Sequence, residues 1–332
     1  MPPTLSRIFF WPGIAAMIAY AVIWKQLGLE ALFLVIILSI LEITLSFDNA
    51  VVNARVLERM TPIWQKRFLT WGIAIAVFGT RFVLPILIVS TALWTSPWLI
   101  AQLALSDPTS YGNLLEEARG SITAFGGMFL LMVSLKYFFD STTSLRFITH
   151  IEQHFVRWGN IEAVEIAFAI CILISLSFMT TYDQTSVLIA GFIGLLLFIL
   201  MQGVASSLSL DKNHVAKSGL ALFIYLNILD AAFSLDGVIG AFAISNNLLI
   251  IVIGLGIGAY FVRALTVYMV TRNTLGHLVY LEQGANWAIL TLALSMLGAL
   301  VIHIPTLITG LIGFGCVSVA YVASVRQNKR HV

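Results

Sequence analysis

The chain has 332 residues, of which 59% are hydrophobic and only 10% charged, and its formal net charge is +2. A water-soluble fold of this length cannot bury that much apolar surface, so lipid is the expected solvent. A near-neutral balance without a basic block excludes a nucleic-acid-binding protein, and Cys171 and Cys316, both in apolar runs, read as small packing residues.

Ten apolar stretches approach or exceed the length that crosses ~30 Å of hydrocarbon. They lie near residues 8–24, 29–57, 67–92, 120–140, 162–180, 184–207, 217–242, 247–271, 284–302 and 306–325. The first could pass for a signal peptide but is read as a retained helix. After the third, residues 93–105 carry Trp94, Pro97 and Trp98 and are expected at the headgroup level. Residues 106–119 are expected to form a polar, acidic external loop. With the N-terminus inside, the cytoplasmic segments hold Arg7, Arg55, Arg59, Lys66, Arg67, Arg146, Arg157, Lys212, Lys217, Arg272, Arg326, Lys329 and Arg330. Only Lys25 and Arg119 fall outside, which predicts both termini in the cytoplasm. Lys136 sits near a helix end and can snorkel.

An acidic motif recurs inside two of these stretches. Leu41-Glu42-Ile43-Thr44-Leu45-Ser46-Phe47-Asp48-Asn49 returns as Leu229-Asp230-Ala231-Ala232-Phe233-Ser234-Leu235-Asp236-Gly237. Each copy keeps an acid, then Ser four residues on, then Asp two further. An ionised carboxylate in hydrocarbon costs about 3 kcal/mol or more unless paired or hydrated, so matched acids mark a functional site. The following helices also match: Gly72 precedes Arg81, and Gly254 precedes Arg263, by nine residues each. Glu117-Ala118-Arg119-Gly120 likewise resembles Glu282-Gln283-Gly284. Helices two, three and four thus map onto seven, eight and nine. An offset of five reverses the membrane sense and predicts an all-α polytopic protein built as a 5+5 inverted repeat, residues 1–182 and 183–332.

The intramembrane set is Glu42, Asp48, Asp230 and Asp236 against Arg81 and Arg263, a formal balance of −2 that suits one divalent cation or two protons. Carboxylate, amide and hydroxyl oxygens favour hard ions such as Mn²⁺, Mg²⁺ and Ca²⁺. No His or Cys clusters with the motifs: His150, His154, His214, His277, His303 and His331 fall in loops, tails or helix ends. Glu42, Ser46, Asn49 and Asn53 share a helix face at spacings of 4, 3 and 4, while Asp48 points elsewhere. In the second copy Asp230 and Ser234 align, and Asp236 does not. Either the two acids serve different partners, or the first motif helix unwinds near Ser46 to Asn49. Glu42 and Asp230 have two readings, as cation ligands or as partners of Arg81 and Arg263. Asn227, one turn before Asp230, is a weaker ligand candidate. Glu162 and Glu165 suit a helix start.

Ser46-Phe47-Asp48-Asn49-Ala50-Val51-Val52 and Phe233-Ser234-Leu235-Asp236-Gly237-Val238-Ile239-Gly240-Ala241-Phe242 resemble the paired signatures of the TerC family, named for tellurium resistance. Trp64-Gln65, Phe68-Leu69-Thr70 and Ala76-Val77-Phe78-Gly79 resemble a subgroup catalogued as a domain of unknown function. The likeness covers residues 28 to 302. It implies a transporter linked to the LysE-like superfamily and associated with manganese efflux. On that resemblance Asp48 and Asp236 are the metal ligands, with Glu42, Asn49 and Asp230 as further metal-site groups. Ser46, Ser234, Asn53, Arg81 and Arg263 support them. Gly237 in place of Asn49, and Asp230 in place of Glu42, break strict two-fold symmetry.

The expectation is therefore a divalent-cation exporter of the bacterial cytoplasmic membrane with Mn²⁺ as substrate, no bound cofactor, and proton coupling as the release step. Its partners are the ion and the bilayer, and a homo-oligomer is compatible. Export of a small organic cation or amino acid is the alternative, as is a scaffold in a metal-stress or tellurite-stress complex. An aspartyl protease is disfavoured because neither Asp48 nor Asp236 lies in a Gly-x-Gly-Asp string, so no enzymatic activity is expected.

Overall fold

A computed structural model of the chain describes residues 5–139, 163–209, 215–245, 247–272, 274, 278, 280–302 and 304–330. All six histidines and Glu162 lie outside the described residues. Everything described is helix or connection, and no strand occurs among the described residues. Among the described residues five helices are long and apolar enough to cross a membrane, and six if a bent pair counts as one span. Shorter apolar helices accompany them at Pro97–Ser106, Val164–Met179 and Gly219–Ser234. The protein is a multi-pass, all-helical membrane protein.

The contacts divide the chain into two compact units, each drawing on both halves of the sequence. The first comprises Met1–Arg119 and Leu222–Arg272. Its leading helix, α1 (Leu5–Leu45), is interrupted at Gly28, whose φ of 88° is open to glycine at little cost. That break falls where the expected spans 8–24 and 29–57 meet. α2 (Phe47–Glu58) follows after Ser46, whose φ and ψ of −102° and 15° leave the α region. The helical bonds on either side survive, Ser46 N–H to Glu42 C=O at 2.9 Å and Ala50 N–H to Ser46 C=O at 3.1 Å. The first motif helix is therefore irregular at one residue, not unwound over a turn.

α3 (Pro62–Ala74) continues through a π-helical segment, Ile75–Val83, into α4 (Leu84–Ala92). The two parts of this span bend by 50° between Gly72 and Ile75. Gly72 weakens the ladder ahead of the bend and Pro85 lacks an N–H behind it, so the wider π winding settles between them. Next come α5 (Pro97–Ser106) and α6 (Pro108–Glu117). The expected loop at 106–119 is thus largely helix. Asp107 caps it, accepting from the Ser110 N–H at 3.1 Å, with Pro108 at the first helical position. The Ser110 hydroxyl and N–H hold the Asp107 carboxyl below the usual carboxylate range. Tyr111 and Leu115 bury one face of α6.

The second stretch of this unit is the C-terminal part of α10 (Val215–Ile244) and α11 (Leu248–Thr271). Small residues let α11 close on α1. A Cβ on Gly254 would lie 2.6 Å from Leu38 Cβ, and one on Gly258 2.5 Å from Glu42 Cβ and 2.8 Å from the Ser39 carbonyl oxygen. The Ser39 hydroxyl donates to the Gly254 carbonyl at 3.0 Å, sealing the crossing. Gly258→Ala is expected to force the helices apart and cost about 1–3 kcal/mol. Thermal unfolding in detergent checks this, with Gly315→Ala, which opens onto empty space, as the neutral control.

The second unit comprises Gly120–Ala221 and Asn273–Val332. It holds α7 (Arg119–Phe139, from Gly120 on), α8 (Val164–Met179), α9 (Gln184–Ser209), α12 (Leu281–Gly298) and α13 (Thr306–Arg330). α7 is 83% buried, as a helix apolar on all sides should be, whereas α13 is 28% buried and presents its side chains outward. Here too glycine sets the approach: a Cβ on Gly194 would meet the Phe125 carbonyl oxygen at 2.3 Å, and one on Gly284 the Ala320 Cβ at 2.3 Å. Lys136, expected to snorkel, reaches Glu165 in the first turn of α8 at 3.5 Å.

Candidate functional site

Both acidic motifs meet inside the first unit. Asn49 on α2 donates its side-chain N–H to Asp230 Oδ1 on α10 at 2.7 Å. Two turns earlier, a Cβ on Gly237 would sit 3.3 Å from Glu42 Oε2. Leu57 near the end of α2 and Met60 just past it form a buried apolar cluster with Leu226 of α10 and Phe68 of α3. Each step toward the C-terminus of the first motif is matched by a step toward the N-terminus of the second, so the two helices cross antiparallel. The contacts are reciprocal: the residue seven after each acid lies against the acid of the other copy. Gly237, noted in the sequence only as a departure from Asn49, admits the Glu42 carboxylate.

Each leading acid is held by the arginine of its own half. Arg81, placed on the π segment, pairs with Glu42 Oε1 and donates as well to the Ala76 carbonyl and, at 3.2 Å, to Thr80 Oγ1. The Ser46 hydroxyl donates to the same Glu42 oxygen at 2.8 Å. Arg263 on α11 reaches Asp230 Oδ2 at 3.4 Å and the Phe68 carbonyl at 3.3 Å, with its guanidinium 4.0 Å from the Phe68 ring centre. Gly72 makes room for it, since a Cβ there would come within 2.5 Å of Arg263 Nη1. Asp230, one methylene shorter than Glu42, takes Asn49 and Arg263, and Ser234 Oγ is left buried without a partner.

Asp48 is different. It is 5% exposed, and the hydrogen bond its carboxylate accepts comes from the neighbouring Asn49 N–H at 2.9 Å. It stands in the first turn of α2, where the helix dipole favours an anion. The described residues give it no cation. The Asp236 side chain lies outside the described residues, although its backbone is part of α10. Among the described residues no three His, Cys, Asp or Glu converge as a ready metal cluster. Oxygen without a partner is nonetheless concentrated here: Asn49 Oδ1, Asn53 Oδ1, Asn227 Oδ1 and Ser234 Oγ are all buried and unbonded. The amide donors of Asn49 and Asn227 are already used, on Asp230 and on the Phe223 carbonyl at 2.7 Å. A buried polar atom left unbonded costs about 1–3 kcal/mol, and Arg81 Nε and Arg263 Nε are buried without a partner as well, so the region holds both acceptors and donors still to be satisfied.

The sequence profile of a family described as "Protein of unknown function (DUF475)" matches residues 47–331. The chain belongs to this family. The DUF475 match begins at Phe47, so it includes Asp48, Asn49, Asn53, Arg81, Asp230, Asp236 and Arg263 and leaves Glu42 and Ser46 just ahead of it. No curated protein and no solved structure matches the chain. Within this DUF475 protein, the ion pairs of Glu42 and Asp230 are the ones the sequence offered as one of two readings. The roles of Gly237, Gly258 and Phe68 were not legible. The glycine pair at 254 and 258 is the one signal that could have placed α11 against the first motif helix.

Proposed function

We propose that this chain is a secondary transporter that exports a hard divalent cation, with Mn²⁺ as the substrate, across the bacterial cytoplasmic membrane. The reading keeps ten membrane-crossing segments in a 5+5 inverted repeat with both termini inside, and the TerC likeness of the paired motifs. The observation that carries it is the contrast in charge. Glu42 and Asp230 are each neutralised by an arginine, whereas Asp48 is buried with no counter-charge among the described residues. With its counterpart Asp236, Asp48 supplies the formal charge of −2 that one divalent ion cancels. The ligand chemistry is all oxygen, which favours Mn²⁺, Mg²⁺ or Ca²⁺ over softer ions.

The architecture supports alternating access. The antiparallel, reciprocal contacts of the two motif helices are those an inverted repeat would make about its axis. Each compact unit also combines matched helices from both halves: the motif helices and their arginine helices in one, the fourth and ninth spans in the other. Asp48 and Asp236 bind the ion directly, Asn49 adds an amide oxygen, and the Glu42–Arg81 and Asp230–Arg263 pairs position the frame. Protonation of one free carboxylate on the outer side releases the ion. Catalysis has no role in this scheme.

Metal flux in proteoliposomes tests the proposal, comparing Mn²⁺, Ca²⁺, Mg²⁺ and Zn²⁺ and using Asp48→Asn/Asp236→Asn as control. Mn²⁺ movement lost in the double variant is the expected result. Absence of flux for all four ions overturns the proposal and favours an organic-cation exporter or a scaffold.

A further inference from the structure

We infer that Asn53 and Asn227 form a second, uncharged cation station in the first unit, one helical turn from the acids and next to the apolar cluster. The inference rests on the transport reading above and adds a waiting position to it. Asn227 is the residue that defines the station.

The level of the two amides follows from contacts on either side of them. On α2, Asn49 touches Asp230, Asn53 follows one turn later, and Leu57 one turn after that joins the cluster with Leu226. On α10, which crosses antiparallel, Asn227 lies one turn before Asp230, and Phe223 one turn further back packs on that same cluster. Asn53 and Asn227 are therefore bracketed at the same depth. Both are buried, at 1% and 9% exposure, and both keep a side-chain oxygen with no partner. Asn227 has its amide N–H fixed on the Phe223 carbonyl at 2.7 Å, so its orientation is set and only the oxygen remains for a guest. The chemistry that fits is a hard cation keeping part of its water shell, since two neutral oxygens cannot replace that shell alone.

Position gives the station a purpose. Leu57, Met60, Phe68 and Leu226 close the end of the helices that carries Arg55, Arg59, Lys66 and Arg67, with Trp64 and Phe223 packed beside them, their rings tilted at 45° and their centres 5.7 Å apart. Gln65 ties this closure by donating to the Leu57 and Met60 carbonyls at 3.0 and 3.2 Å. An ion entering through the apolar cluster meets neutral oxygens before it meets Asp48. A weak station ahead of a charged one lets an ion enter without being trapped there.

The test is Mn²⁺ flux as a function of concentration in proteoliposomes of the full chain, with Mn²⁺ binding to the purified protein followed by electron paramagnetic resonance. Asn53→Ala/Asn227→Ala is expected to raise the KM for Mn²⁺ about tenfold, with a smaller change in the maximal rate, and to remove the weaker class of bound Mn²⁺. Asn53→Asp, which keeps size and oxygen and leaves the Asn227 amide bond to the Phe223 carbonyl intact, is expected to tighten that weaker class, and it separates a lost ligand from a misfolded chain. Asp48→Asn, run in parallel, is expected to abolish the maximal rate. An unchanged KM and unchanged weak binding in the double Asn variant, with Asp48→Asn still inactive, overturn the station alone and leave water as the amides' partner. Normal flux in Asp48→Asn removes Asp48 from the site and overturns a station placed ahead of it, whereas no Mn²⁺ movement in the native chain overturns the transport reading and the station with it.

Discussion

Asp48→Asn is expected to lower Mn²⁺ movement by about 100-fold or more, the scale on which metal-site groups act, while the protein still inserts and purifies as the native chain does. The substitution keeps the shape and an amide oxygen and removes only the charge. Asp48 is the acid best placed to separate charge from fold, because its described hydrogen bond is to the N–H of the next residue and no arginine depends on it. Flux of ⁵⁴Mn²⁺ into proteoliposomes, normalised to incorporated protein, measures the loss. A rate within twofold of the native chain removes Asp48 from the site.

The second large effect is on stability. Arg81→Met leaves Glu42 buried at 1% exposure without its counter-charge, and breaking a buried pair in this way costs about 3–5 kcal/mol. Adding Glu42→Gln is expected to recover most of the loss: the glutamine oxygen still accepts from Ser46, and no stranded charge remains. Arg263→Met is expected to cost less, because Asp230 keeps its bond from Asn49 and its contact with Arg263 is longer, at 3.4 Å. Thermal unfolding of the three variants in detergent measures both the loss and the recovery. A loss below about 1 kcal/mol in Arg81→Met, the scale of a solvated pair, means that Glu42 does not depend on Arg81.

The amino-acid pattern determined the class of this protein and pointed to the acids of its candidate site. Composition alone demands lipid as solvent, because no folded surface of this length could hide so many apolar side chains from water. The paired acids in apolar runs were visible because an ionisable group in hydrocarbon needs a reason to be there. A break between Ser46 and Asn49 was one of two readings that the spacing allowed, and the structure shows an irregularity at Ser46 alone; a boundary between residues 24 and 29 was legible, but Gly28 as its joint was not. Helix α6 was missed because its polar, acidic composition resembles a loop, although Asp107-Pro108 is a helix start by the capping rules.

Only tertiary structure decided what each acid does. Sequence spacing puts Glu42 and Asn49 on one face of a helix but cannot say which carboxylate finds an arginine from a helix one span away. That choice depends on the π segment that carries Arg81, and on Gly72, Gly237 and Gly258, whose missing side chains let Arg263, Glu42 and two helix backbones come close. The unpartnered oxygens of Asn53 and Asn227 are a tertiary fact for the same reason. A side-chain amide in a sequence has two donors and an oxygen to offer, and only packing settles which remain unused. The Asn49–Asp230 and Gly237–Glu42 contacts follow from antiparallel crossing of the two motif helices, a contact between residues far apart in the chain that no local pattern encodes.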